Sequence, residues 1–200
     1  GGVAAHGGHG DIHGYRQGNL GLFRAPALCL GAHECVRAVR LAVQQGADII
    51  KTASTGGVMS NTAAGLGQQM SDAELVAIVE TAHRLGRKVA AHAHGTDGIN
   101  AALRAGVDSV EHGTYLDAES IRLFKAKGSY YVPTLLAGET VSQQAEAADW
   151  MPDAVRAKAR TVGPLMVDAL RRAHQGGVRI AFGTDSAVSR HGENAREFAL

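Results

Sequence analysis

Cysteine is scarce in this chain. Two occur in 200 residues, Cys29 and Cys35, and their spacing matches neither a metal-ligand nor a redox pattern. Ordinary core packing is the expectation for both. An excess of either charge is also missing: 20 Lys and Arg against 19 Asp and Glu leave a formal net charge of +1. That balance gives no electrostatic footprint for nucleic acid or for an acidic partner. No apolar run approaches the ~20 residues that span a bilayer, and no signal peptide is visible. Phosphate-binding loops are absent too. Gly8-x-Gly10 with the next glycine at Gly14 misses the dinucleotide fingerprint by one residue, and no Walker A pattern occurs. What remains is a small-molecule or dipeptide substrate, with no nucleic acid or membrane partner. Cytoplasmic location is the default, and the sequence leaves open whether the chain is a homo-oligomer.

Glycine is plentiful, 26 residues, and spread along the chain, which implies many tight turns. The turns delimit a repeated unit. A helix expected over about Ala32 to Gln45 stops at Gly46, and a short strand, Ala47–Ile50, ends at Lys51. The long glycine-rich loop after Lys51 has the length of a functional connection. Ser71 and Glu74 then form a capping box for the next helix, which Gly86 ends. Val89–Ala91 runs into His92. A short helix closing on Gly106 precedes Val107–Val110, which runs into His112. Asp117 can cap a helix to Gly128, followed by Tyr130–Val132 and Thr134. Residues 137–152 read as a helical lid. A longer helical region over about Asp153 to Gln175 should break or kink at Gly163-Pro164. Val178–Phe182 leads to Asp185, and Ala195 begins a last helix.

Helices alternating with short apolar strands predict parallel βα units, whose strand ends all lie on one side. Lys51, His92, His112 and Asp185 should therefore converge, although they are far apart in sequence. In a (β/α)8 TIM-like barrel that side carries the active site. An open doubly wound sheet is the competing topology. Two imidazoles and a carboxylate suit Zn2+ and other borderline divalent ions. Lys51 either stays a simple cation or reacts with CO2 to give an anionic carbamate ligand, for which its amine must first lose a proton. His94 lies two residues past His92 and points to the same side of the strand. Near the start, His6, His9 and His13 sit in a glycine-rich loop with no strand or helix to fix them.

At these residues the chain resembles the amidohydrolase superfamily of metal-dependent hydrolases. The matching stretches are Ile-Ile-Lys51-Thr-Ala-Ser-Thr-Gly-Gly, Val-Ala-Ala-His92-Ala-His94-Gly, Ser-Val-Glu-His112-Gly and Phe-Gly-Thr-Asp185. Gly7-Gly-His-Gly-Asp11 and His191-Gly-Glu-Asn194-Ala extend the likeness over nearly the whole length. The imidazolonepropionase-like branch, with its Xaa-Pro dipeptidases and zinc-dependent arginine/lysine carboxypeptidases, is the part of the superfamily it most resembles. This resemblance implies a (β/α)8 barrel with two metals, usually zinc. Carboxylated Lys51 would bridge them, His92 and His112 would hold the second, and Asp185 would bind the first. It further implies attack on a peptide or amide carbonyl by a metal-bridging hydroxide, with Asp185 moving the proton and His94 polarising the carbonyl. His191 and the loop at Gly56 and Gly57 would contact the substrate.

The family's His-x-His pair on the first strand has no counterpart here. The chain begins Gly1-Gly2-Val3 and ends Glu197-Phe198-Ala199-Leu200 in the middle of a pattern. The expectation is a partial barrel domain over residues 1–200, about strands three to eight, without the first two strands and the flanking β domain. Three function classes follow: a dipeptidase or carboxypeptidase, a cyclic-amide hydrolase, or a metal-binding fragment without activity.

Overall fold

A computed structural model describes residues 1–12, 27–60, 65–147 and 149–200. Seven parallel strands form one open sheet, β1 Gly2–Ala5, β2 Ala27–Cys29, β3 Ile49–Ala53, β4 Lys88–Ala93, β5 Ser109–His112, β6 Tyr130–Val132 and β7 Arg179–Ile180. Their order is β2-β1-β3-β4-β5-β6-β7, so from β4 onward each strand lies beside the one before it in sequence. This is the arrangement of a partial (β/α)8 barrel. The helices are α1 Gly31–Gln44, α2 Asp72–Arg84, α3 Thr96–Ala105, α4 Ala118–Lys127, α5 Leu135–Ala147 and α6 Asp153–Gln175.

Strand alternation divides the sheet into two unlike faces. Ile50, Val89, Ala91, Ala93, Val110 and Tyr131 are fully buried and form the core with the helices, among them Val39, Leu75, Ile78, Leu103 and Phe124. The opposite face carries Lys51, Ala90, His92, Ser109 and Glu111, which the register places side by side. Ile49 and Tyr130 on that face are still about half exposed.

Helix ends follow local chemistry. The Ser71 hydroxyl accepts from the Glu74 N–H, and the Glu74 carboxylate accepts from the Ser71 N–H at 2.8 Å, completing the expected capping box. The same carboxylate reaches the Gly31 N–H at 2.8 Å and so ties the start of α1 to α2. Asp117 caps α4 through the Ser120 N–H. Gly106 and Gly128 end α3 and α4 in left-handed conformation.

Four details depart from expectation. β2 is a three-residue strand in a stretch to which the sequence assigns no element. Cys29 and Cys35 are buried as expected, but they are bonded to each other and link β2 to α1. α6 runs through Gly163-Pro164 without a break, because its buried row, Val155, Ala159, Val162, Met166 and Ala169, continues across the proline against α5. β7 keeps only Arg179 and Ile180 at the edge of the sheet, and the last segment is a short 3-10 helix, Asn194–Ala199. No described helix is long and apolar enough to cross a membrane.

Candidate metal centre

Three imidazoles meet at the C-terminal ends of β4 and β5. The His92 ring centroid lies 4.8 Å from that of His94 and 4.6 Å from that of His112, and His94 and His112 stack at 4.9 Å. One nitrogen from each can be chosen so that all three lie within 4.8 Å of one another. Among the described residues this is the one cluster of three metal-ligating side chains.

The two strands deliver these rings differently. Register pairs His92 with Glu111 and Ala93 with His112, so simple alternation would turn His112 toward the buried helical face. His112 instead has φ 71° and Gly113 φ 56°. That left-handed backbone breaks the alternation and brings the ring beside His92. Two contacts hold it there. The Tyr131 hydroxyl donates to the His112 carbonyl at 2.8 Å, and His112 Nδ1 meets Thr134 Oγ1 at 2.7 Å. The Thr134 hydroxyl is itself directed at the Pro133 carbonyl at 2.7 Å, which makes Nδ1 the donor and leaves Nε2 free as a ligand. His94 is fixed similarly by Thr114 Oγ1, 2.8 Å from its Nδ1. His92 Nε2 lies 3.2 Å from the Gly56 carbonyl.

Burial keeps the cluster neutral. It lowers His92 well below the ordinary imidazole range, assisted by His112, and lowers His112 in the same way, assisted by His94. His94 falls to about 3, mainly through burial, with His9 and Lys158 adding to it. Neutral imidazole is the form that binds metal, so this donor set fits a borderline divalent ion.

Lys51 and Asp185 reach the same place from other strand ends. A cavity of about 240 Å3 is lined by Lys51, His92, His112 and Asp185 together with His9. Lys51 is half exposed rather than enclosed beside Ile49 and Ile50, and its ammonium pairs with Glu111. Asp185 is exposed, with φ 49°. His191 is exposed and lines neither this cavity nor its neighbour.

The glycine-rich loop packs under the histidines. A Cβ on Gly57 would lie 2.3 Å from the His9 ring, and one on Gly56 would lie 1.8 Å from the Gly65 carbonyl oxygen. The Gly56 N–H bonds to the Gly67 carbonyl and the Gly57 N–H to Ser60 Oγ, both at 3.0 Å. A substrate contact to those N–H groups would have to displace these partners.

Sequence reasoning left His9 without a position, yet its ring stacks on His92 at 4.2 Å. Glu111 was missed: it lies one residue past the expected strand Val107–Val110, and its pairing with Lys51 reaches across β4. Thr134 stood in the sequence only as the polar residue after Tyr130–Val132, without a role, and Thr114, two residues past His112, carried no signal. His13 lies outside the described residues.

Comparison with known proteins gives a consistent picture. The sequence profile described as the Amidohydrolase family matches residues 12–199. Ochratoxinase from Aspergillus niger is 38% identical over 193 residues, covering 90% of this chain and 40% of that protein. A crystal structure of a Xaa-Pro dipeptidase with bound methionine in its active site superimposes with a TM-score of 0.90 at 42% identity, covering 98% of this chain and 49% of the other. A prolidase complexed with N-methylphosphonate-L-proline superimposes with a TM-score of 0.83 at 30% identity, covering 92% and 46%. The chain thus spans about half the length of the relatives it matches.

Proposed function

The chain belongs to the amidohydrolase family, and we propose that it supplies half of a binuclear centre that hydrolyses a peptide or amide C–N bond, as a dipeptidase or carboxypeptidase. The observation that carries this reading is the convergence of Lys51, His92, His112 and Asp185 on one cavity from four strand ends. Two Zn2+ ions are the proposed metals, one held by His92 and His112, the other by Asp185 and by ligands from outside this chain. Such ions, when bound, supply a water acidic enough to attack at neutral pH.

The chain's own residues do the rest. The Lys51 ammonium loses one proton. Its amine then attacks CO2 so that an N–C bond forms as one C–O π bond opens, and a second proton leaves the nitrogen to water. The resulting carbamate offers two oxygens sharing one negative charge where an ammonium would repel a cation. Glu111, paired with Lys51, is the acceptor at hand for the first of these protons. Asp185 takes a proton from the attacking water and returns it to the departing amine, a role its place at the cavity suits. His94 polarises the scissile carbonyl as a neutral donor. This role uses the tautomer in which Nδ1 accepts from the Thr114 hydroxyl and Nε2 carries the hydrogen. His191, beyond Asp185, is the proposed contact for the substrate carboxylate, with the Gly56-Gly57 loop as the floor of the site. The part of the relatives that this chain does not span is the proposed source of the rest of the barrel.

The test is metal analysis and hydrolysis of dipeptides and cyclic amides by the product of the whole reading frame, beside its Asp185→Asn and Lys51→Ala variants. Dipeptide hydrolysis lost in both variants is the expected result. Full activity in either would overturn the role given to that residue, and turnover of cyclic amides alone would replace the dipeptidase assignment.

A further inference from the structure

Behind the histidines a second cavity, about 220 Å3, opens between the α5–α6 hairpin and the loop after β3. His9, His92, His94, His112 and Asp185 stand at one end. The rest of its wall is apolar, with Val58, Met59, Val141, Val162, Met166 and Val188 as its main surfaces. Asp185 is the single carboxylate in the described lining, and no lysine or arginine lines it.

The hairpin is built to leave this space. Gly138 on α5 faces Gly163 on α6: a Cβ on Gly163 would lie 2.0 Å from Ser142 Oγ and 2.8 Å from the Gly138 carbonyl oxygen. The helices therefore touch through backbone there, and the larger side chains on either side of the crossing are pushed toward the cavity and into two small clusters. Val58 packs against both clusters, so the loop after Lys51 closes the wall from the opposite side. Lys158 on α6 fastens the arrangement by donating to the Gly57 carbonyl at 3.0 Å and to the Ser60 carbonyl at 2.5 Å.

We infer that this cavity is the specificity pocket of the enzyme and takes an uncharged, apolar substrate side chain of about benzyl or thioether size. The assignment rests on the hydrolase reading above and narrows it: substrates carrying lysine, arginine, aspartate or glutamate at this position are excluded. Three features carry it. The volume exceeds the roughly 150 Å3 at which an apolar protein cavity accepts benzene. Away from the end that holds Asp185 and the imidazoles, the described wall offers a charged group nothing to pair with, and burying a charge without a partner is costly. The pocket also opens directly onto the imidazole cluster, so a side chain seated in it holds the neighbouring carbonyl against His94.

Two measurements on the zinc-loaded protein test this. Calorimetric titration with L-phenylalanine, L-methionine, L-lysine and L-glutamate reads the pocket, and rates on the corresponding dipeptides read the chemistry. Phenylalanine and methionine should bind, and their dipeptides turn over, about tenfold or more better than the charged pair. Met59 is partly exposed, so Met59→Glu can be made without opening the core, and it should shift the preference toward lysine. Ala137→Leu, which fills the pocket from α5, should weaken phenylalanine more than alanine. Equal or better binding of lysine or glutamate overturns the inference, as does a panel left unchanged by both substitutions. Apolar binding without hydrolysis of any amide would sink the hydrolase reading and leave the pocket standing. Hydrolysis that prefers charged side chains would do the reverse.

Discussion

Three buried neutral histidines make the metal-free protein sensitive to mild acid, and His94 allows the size of the effect to be worked out. Its folded-state value is about 3, against 6.5 for an unperturbed imidazole. Between these values the unfolded chain binds a proton that the folded chain refuses, so stability falls as pH falls below 6.5. At one proton and 1.36 kcal/mol per pH unit, His94 alone removes about 2 kcal/mol between pH 7.5 and pH 5. His92 and His112 act in the same direction for the same reason, burial. Carboxylates do not imitate this. Glu74 and Asp108 are held below their usual range by hydrogen bonds, so their contribution is intact above about pH 4.5 and is lost only below it. The assay is urea unfolding followed by circular dichroism at half-unit steps from pH 7.5 to 5, in chelator. His94→Gln should lower the slope of stability against pH by roughly half a proton averaged over that window, approaching one proton toward pH 5. A flat profile in the parent, or an unchanged slope in the variant, would refute the claim that these rings are buried and neutral.

Other outcomes follow from single contacts. Gly113→Ala places a methyl 2.5 Å from the Tyr131 ring at a residue with φ 56°. It should cost roughly 1–3 kcal/mol in thermal unfolding and weaken zinc binding measured by a competing chelator. Ser71→Ala removes one side of the capping box and should cost about 1 kcal/mol by urea unfolding. Alkylation before and after reduction should label Cys29 and Cys35 only after reduction, and the reduced chain should unfold with roughly 2 kcal/mol less stability, as closure of so short a loop implies. Equal labelling without reductant would remove the bridge. Lys158→Met deletes the ties to the Gly57 and Ser60 carbonyls, and proteolysis should then cut first in the loop after Lys51.

Most of the framework was legible because it is written in local chemistry. Glycine stops after helices, the capping box at Ser71 and the cap at Asp117 act within a few residues, and the structure places helix ends where they fall. Convergence of Lys51, His92, His112 and Asp185 followed from topology alone, since parallel strands align their ends. What stayed hidden depends on partners distant in sequence. β2 is too short to show alternation and exists because β1 lies beside it. The Cys29–Cys35 bond depends on how β2 approaches α1. Pro164 suggested a break that packing against α5 overrides. Lys51 seemed to need burial, whereas the outer half of its sheet face is open and Glu111 supplies its partner.

The phase of His112 is the sharpest case. An alternating strand that points His92 to the site must point Glu111 there and His112 away, yet both histidines arrive. The means is φ 71° at His112, and the same device recurs at Thr134 with φ 53° and Asp185 with φ 49°. Left-handed backbone at such residues costs of order 1–3 kcal/mol each and persists only where surrounding structure enforces it. Here it occurs at or just past the ends of three successive strands, β5, β6 and β7, all on the side where the cavities open. Thr134 does not line the described cavities. Its turn instead sets Oγ1 against His112 Nδ1, so one strained residue holds the next. Three of the four non-glycine residues with positive φ among those described lie there, the fourth being Ala187 with φ 101° in the loop after Asp185, and this clustering supports a site on that side. No residue type marks it in the sequence, since histidine, threonine and aspartate are ordinary at ordinary φ.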